Sequence, residues 1–163
     1  MDLYLIRHAD AKPLGEDNVH EDAERALTEA GHAQSKAVGA TFQKLGKKVN
    51  LVVTSPLLRC RQTAEGIIGE LDKPAPELLT CEELAPAGKS RKLARFLRDQ
   101  GAEVILLVGH RPDLNMYAAW LIGSKKVDIN IDKAGVAYIL CPEGPHKGGG
   151  TLTWLVTPSW MGA

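Results

Sequence analysis

Two histidines in this chain stand beside arginines, and each pair closes an apolar run. Leu3-Tyr4-Leu5-Ile6 leads into Arg7-His8-Ala9, and Val104-Ile105-Leu106-Leu107-Val108 leads into Gly109-His110-Arg111. A third apolar run, Leu51-Val52-Val53-Thr54, leads into Ser55-Pro56-Leu57-Leu58-Arg59. A neutral imidazole is a nucleophile or a proton acceptor, and a guanidinium is a permanent cation with a planar fork of donors. No partner acid stands inside the three motifs, so the group that joins them should be an anion, and phosphate fits best. Phosphoryl transfer asks for an in-line nucleophile and for positive charge on the equatorial oxygens. His8 fits the first requirement. Arg7 and Arg59 fit the second by pairing with phosphate oxygens, and His110, when protonated, adds a further donor. Arg111 stands equally well against substrate or in solvent.

These residues must be delivered by strands. β-branching and alternation make 2–6, 50–54 and 103–108 strands, and each places its motif at a carboxyl end, where open α/β sheets bind ligands. Between them the pattern predicts helices. Thr28 caps one of about 18 residues with an apolar face of Ala30, Ala33, Ala37, Val38, Phe42 and Leu45, closed by Gly46. Ser55 as cap and Pro56 as first residue start a second that runs to about Leu71. Residues 90–100 form a basic amphipathic helix, and Pro112 opens a helix ending at Gly123. A short strand is expected at 77–81, and further strands at 127–131, 135–141 and 151–156, with Pro142–Gly150 as a hairpin connection. Residues 10–26 are too charged and too marked by Pro and Gly to be core; they form a loop or flap beside the site, shaped by Asp10. The expected architecture is an α/β three-layer sandwich, a central mostly parallel sheet with helices on both faces, in one domain spanning 1–163.

Composition narrows the function. Twenty basic and twenty acidic residues cancel, which argues against a nucleic-acid or membrane-surface binder. No apolar stretch reaches the roughly 20 residues that span a bilayer, and the amino-terminal residues lack the pattern of a signal peptide. Cys60, Cys81 and Cys141 are odd in number and far apart, which fits a reducing cytoplasm rather than a disulfide framework. His20, His32 and His146 share no ligand spacing, so neither a metal nor a cofactor is expected.

The three ordered motifs resemble a known family. Arg7-His8-Ala9 resembles the Arg-His-Gly signature of the histidine phosphatase (phosphoglycerate-mutase-like) superfamily. Ser55 to Glu65 is similar to its second-arginine motif, and Gly109-His110 to its second-histidine motif. The short length, Leu84-Ala85-Pro86-Ala87-Gly88 and the closing Thr151 to Pro158 most resemble the SixA-type phosphohistidine phosphatases. The resemblance implies His8 as nucleophile, with Arg7, Arg59 and His110 as the phosphate pocket. It departs at Ala9, where a positive φ would be strained. It departs also in lacking the long insertion that carries a proton donor in the larger mutases. Only about 20 residues separate the third and fourth strands, and Glu82 and Glu83 are the acids nearby, Glu83 being the candidate proton donor.

The reading that follows is a metal-independent phosphatase that works through a phosphohistidine. Its expected substrate is phosphohistidine on a signalling protein, such as a histidine-containing phosphotransfer domain. The alternatives are a phosphatase of small phosphomonoesters or polyphosphate compounds, and a non-catalytic phosphoprotein-binding module. Arg61, two residues along the helix from Arg59, should point away from the site. The basic face of Lys89, Arg91, Lys92, Arg95 and Arg98 is either solvated or a dock for an acidic partner protein.

Overall fold

A computed structural model describes residues 1–162. Six strands form one sheet: β1 (Asp2–Arg7), β2 (Leu51–Thr54), β3 (Glu77–Thr80), β4 (Val104–Gly109), β5 (Val136–Leu140) and β6 (Thr151–Val156), in spatial order β3-β2-β4-β1-β5-β6. The first four are mutually parallel, while β5 and β6 add an antiparallel hairpin beside β1. Four helices cover the sheet: α1 (Glu29–Lys44), α2 (Leu58–Ile68), α3 (Ser90–Asp99) and α4 (Asp113–Leu121). Side chains alternate between faces along a strand, and this splits the core in two. Leu3, Leu5, Leu51, Val53, Ile105 and Leu107 pack against α3 and α4. Tyr4, Ile6, Val52, Leu106 and Val108 pack against α1 and α2. The three-layer sandwich is thus the expected one.

Three local expectations need correction. The helix after β2 begins at Leu58 and ends at Ile68, with Leu57 as its cap. The Ser55 hydroxyl is instead 2.8 Å from His110 Nε2, so a tertiary partner has taken the cap's oxygen. Residues 127–131 form no strand. Ile129 and Ile131 are buried as the alternation requires, but no neighbouring strand serves their backbone. Ile131 N–H reaches Asn115 Oδ1 at 3.5 Å, and its carbonyl accepts from Arg7 Nη1 at 3.4 Å. Finally, the buried face of α1 is Gly31, Ser35, Val38, Gly39 and Phe42. Ala30, Ala33 and Leu45 are exposed. The two helices pack backbone to backbone, and a Cβ on Gly39 would come within 2.4 Å of the Ile67 carbonyl oxygen. Small residues, rather than apolar ones, mark that seam.

Candidate functional site

The three motif-bearing strands lie side by side at the centre of the sheet, in the order β2-β4-β1. Arg7 pairs with Gly109 and Thr54 with Val108. The chain therefore leaves all three strands at nearly one level, and His8, Ser55 and His110 follow directly. His8 is tied in by its N–H to the Gly109 carbonyl, 3.0 Å, and its own carbonyl accepts from Ala134 N–H at 3.3 Å. His110 leads into α4, whose Leu114 N–H donates to the His110 carbonyl at 2.8 Å.

The sheet edge buries what it holds. His8, Arg59 and His110 are only 7%, 4% and 3% exposed, and the two imidazole rings lie 5.3 Å apart. His8 Nδ1 is 2.8 Å from the Ala9 carbonyl oxygen. A carbonyl only accepts, so Nδ1 carries the proton and Nε2 keeps a lone pair. Burial first, then the charges of Arg59, Arg7 and Arg25, outweigh the Ala9 hydrogen bond and bring the His8 pKa down to about 4. The ring is neutral near pH 7, the state a nucleophile needs. His110 is driven lower, to about 3, by burial and then by Arg59 and His8. Its Nδ1 accepts from Arg59 Nη2 at 3.2 Å, so Nε2–H donates to Ser55 Oγ. His110 is therefore neutral in this resting site, and an arriving phosphate dianion would raise its proton affinity.

Arg7 and Arg59 each leave one buried donor over: neither Nε–H has a partner. Buried donors without acceptors cost stability, and two such donors on neighbouring motifs suit an oxyanion. Thr63, one turn beyond Arg59 in α2, joins the pieces: its hydroxyl donates to the Arg59 carbonyl at 2.6 Å and accepts from Ala9 N–H at 3.1 Å. Ala9 itself has no positive φ, so Ala is unstrained where the family pattern has Gly.

Other expected residues fall as follows. Arg61 is exposed on α2. Arg111 is exposed and lines a groove of about 560 Å³ with Pro112, Asn115, Met116, Trp120 and Val127. Glu83 faces the start of α3: one oxygen accepts from Lys89 N–H at 2.7 Å and the other lies 3.4 Å from Lys92 Nζ. Asp10 shapes the loop after His8, accepting from Thr28 Oγ1 at 2.8 Å and Lys133 Nζ at 2.6 Å. A Cβ on Gly31 would strike the Asp10 carbonyl at 2.0 Å, so α1 can begin against this loop only with glycine there. Among the described residues no group of His, Cys, Asp or Glu is arranged to hold a metal ion.

Sequence reasoning missed five neighbours of the site. Ser55, Cys60 and Thr63 lay inside the second motif without an assigned part in it. Cys60 Sγ is 3.4 Å from His110 Nε2, but burial pushes its thiol up to about 12, so it stays protonated. Asp22 and Arg25 come from the loop. Asp22 Oδ2 accepts from Arg59 Nη2 at 2.9 Å, the Asp22 carbonyl accepts from Arg59 Nη1 at 2.7 Å, and Asp22 Oδ1 accepts from Arg25 Nη1 at 3.0 Å. No local pattern announces a contact across 37 residues.

Residues 3–85 match the histidine phosphatase superfamily, branch 1. The chain belongs to that superfamily. An uncharacterized protein of a Picosynechococcus strain is 36% identical over 140 residues, 83% of this chain and 82% of its own. The phosphohistidine phosphatase SixA of Escherichia coli K12 is 25% identical over 163 residues, covering 97% and 94% of the two chains. A solved structure of the protein histidine phosphatase SixA with tungstate superposes with a TM-score of 0.84 at 24% identity, over 99% of each chain, a likeness of fold. Family and fold together support a general phosphatase function.

Proposed function

We propose that this chain is a metal-independent phosphohistidine phosphatase that works in two displacements through His8. The observation that carries the reading is His8 itself: neutral, buried among arginines, with Nδ1 committed to Ala9 and Nε2 free of hydrogen bonds among the described residues. Nε2 attacks the substrate phosphorus as the P–N bond breaks, and the substrate ring, which carries a proton from solvent on its other nitrogen, leaves with the bonding pair as neutral imidazole. Arg7 and Arg59 hold the equatorial oxygens, and His110 takes up a share of their charge. Water then attacks phospho-His8, gives up a proton to solvent, and inorganic phosphate leaves.

The substrate class follows from leaving-group chemistry. Residues 81–103 are filled by a short 3-10 turn (Glu82–Leu84) and α3, and Glu83 is occupied at the start of that helix. Asp22 reaches the site, but its hydrogen bonds from Arg25 and Arg59 overcome its burial and hold the carboxyl below the usual range. It is an acceptor, not an acid. Without a donor in the site the leaving group must carry its own proton, and a phosphohistidine ring protonated by solvent on its free nitrogen leaves as imidazole, a far weaker base than an alkoxide. The E. coli relative's name agrees with this choice. The natural substrate would then be a phosphorylated signalling protein, such as a histidine-containing phosphotransfer domain, in the cytoplasm.

Initial rates on a phosphohistidine protein, free phosphohistidine, aryl phosphates and sugar phosphates test the reading. Phosphohistidine and aryl phosphates should outrun sugar phosphates by a wide margin. Equal rates on sugar phosphates, selectively slowed by Glu83→Gln, would replace it with a small-phosphomonoester phosphatase that uses Glu83 as acid.

A further inference from the structure

We infer that Asp22 is an internal competitor for the anion site: it holds the arginine fork that a substrate phosphate must take, and substrate enters by displacing it. The inference rests on the phosphatase reading above and concerns access to the same site. One residue supplies three oxygens to two guanidiniums. Its carbonyl and Oδ2 bind the two terminal nitrogens of Arg59, and its Oδ1 binds Arg25. This is the pattern in which phosphate oxygens engage arginine forks, made by a group of lower charge. A dianion that also meets the free Nε–H groups of Arg7 and Arg59 has more to gain there than the carboxylate.

The two partners differ in how firmly they are held. The Arg59 side chain is 5% exposed, that of Asp22 52%. Arg59 belongs to α2 and is fixed to the His8 loop through Thr63. Asp22 begins a single 3-10 turn, Asp22–Glu24, that buries no residue. No residue of the turn is itself buried, so its withdrawal pulls no side chain out of the core. The loop is clamped at its base by the Ala11–Leu27 bridge and by Lys12 N–H to the Ala26 carbonyl, 2.9 Å, so displacement is confined to the segment between. Arg25 stays behind, because its Nε donates to the Lys12 carbonyl at 2.6 Å. Departure of Asp22 therefore frees both the Arg59 fork and Arg25 Nη1 beside His8.

Inorganic phosphate titrated by calorimetry into wild type, Asp22→Asn, Asp22→Ala and Arg59→Ala tests this. Removing an internal competitor raises apparent affinity by the inverse of the open fraction. For a half-exposed ion pair that amounts to roughly two- to fivefold tighter binding in both Asp22 variants. Unchanged or weaker binding in both would overturn the inference and make Asp22 a support for Arg59. Wild-type binding that survives Arg59→Ala would instead remove the site itself. A second measurement needs no variant: saturating phosphate should speed proteolysis between residues 13 and 25 of wild type. Equal or slower cleavage would overturn the displacement.

Discussion

The wall of the anion site and the loop in front of it carry the same kinds of residue under opposite conditions. The wall is made of two strand ends and the first turn of α2. His8, Arg59 and His110 are almost fully buried: His8 follows β1 and is fastened to the Gly109 carbonyl, His110 follows β4 and leads into α4, and Arg59 lies in the first turn of α2. The loop reaches the site with Asp22, half-exposed in a turn that has no buried residue, and with partly exposed Arg25 at the end of that turn. The lesson is a division of labour. Burial drives the two histidines neutral and gives the arginines few ways to move, so chemistry is set by the sheet. Occupancy and access are left to a segment that can shift at little cost.

The largest expected effect comes from breaking the wall at its nucleophile. His8→Ala should lower turnover by on the order of 10³ or more. Wild type, quenched rapidly without acid, should carry an alkali-stable, acid-labile adduct on His8 that the variant lacks. Full turnover by His8→Ala would end the proposed mechanism. Next come two arginines of one helix. Arg59→Ala should cost roughly 10²–10³ in turnover, the scale of losing a preorganised donor, whereas exposed Arg61→Ala should leave turnover near wild type. The reverse order would mean that the wall does not end at Arg59.

A third effect, confined to acid pH and absent near neutrality, is on stability. An unfolded histidine titrates at about 6.5, while His8 and His110 do so at about 4 and about 3 in the fold. Above pH 6.5 neither affects stability. As pH falls from there toward 4 the unfolded chain binds more protons, so stability drops by up to about 1.4 kcal/mol per pH unit for each ring. Ring-proton NMR should show both histidines unchanged between pH 8 and 5.5, and urea midpoints should fall over the acid interval. A ring that titrates near 6.5 would place it in water, and the wall would then resemble the loop.

How much of this was legible in the sequence follows the same division. Strand-end placement of Arg7-His8, Arg59 and His110 could be read because apolar runs and their stops are local signals. The loop at 10–26 could be recognised as a loop for the same reason, and Asp10 as its shaper. What Asp22 does there could not, because its partner Arg59 is 37 residues away in the chain. Ser55 shows how a sound local preference is overridden: it suits a helix cap, but His110 claims the hydroxyl. Residues 127–131 show the limit of alternation, which reports the burial of Ile129 and Ile131 but not whether a neighbouring strand exists. Gly31 and Gly39 were invisible to an apolar count, since their value lies in the side chain they lack.

The short bond from His8 to the Ala9 carbonyl decides a question of isomerism. Phosphohistidine exists in two forms, with phosphorus on one ring nitrogen or the other. Nδ1 is protonated and turned to a carbonyl oxygen 2.8 Å away, so in the proposed mechanism a phosphoryl group has only Nε2 of His8 to join. The adduct is then a single regioisomer, the distal or τ form. An Nδ1–H bond to Ala9 kept through both proposed displacements would spare the ring from turning over between capture of the phosphoryl group and its release to water.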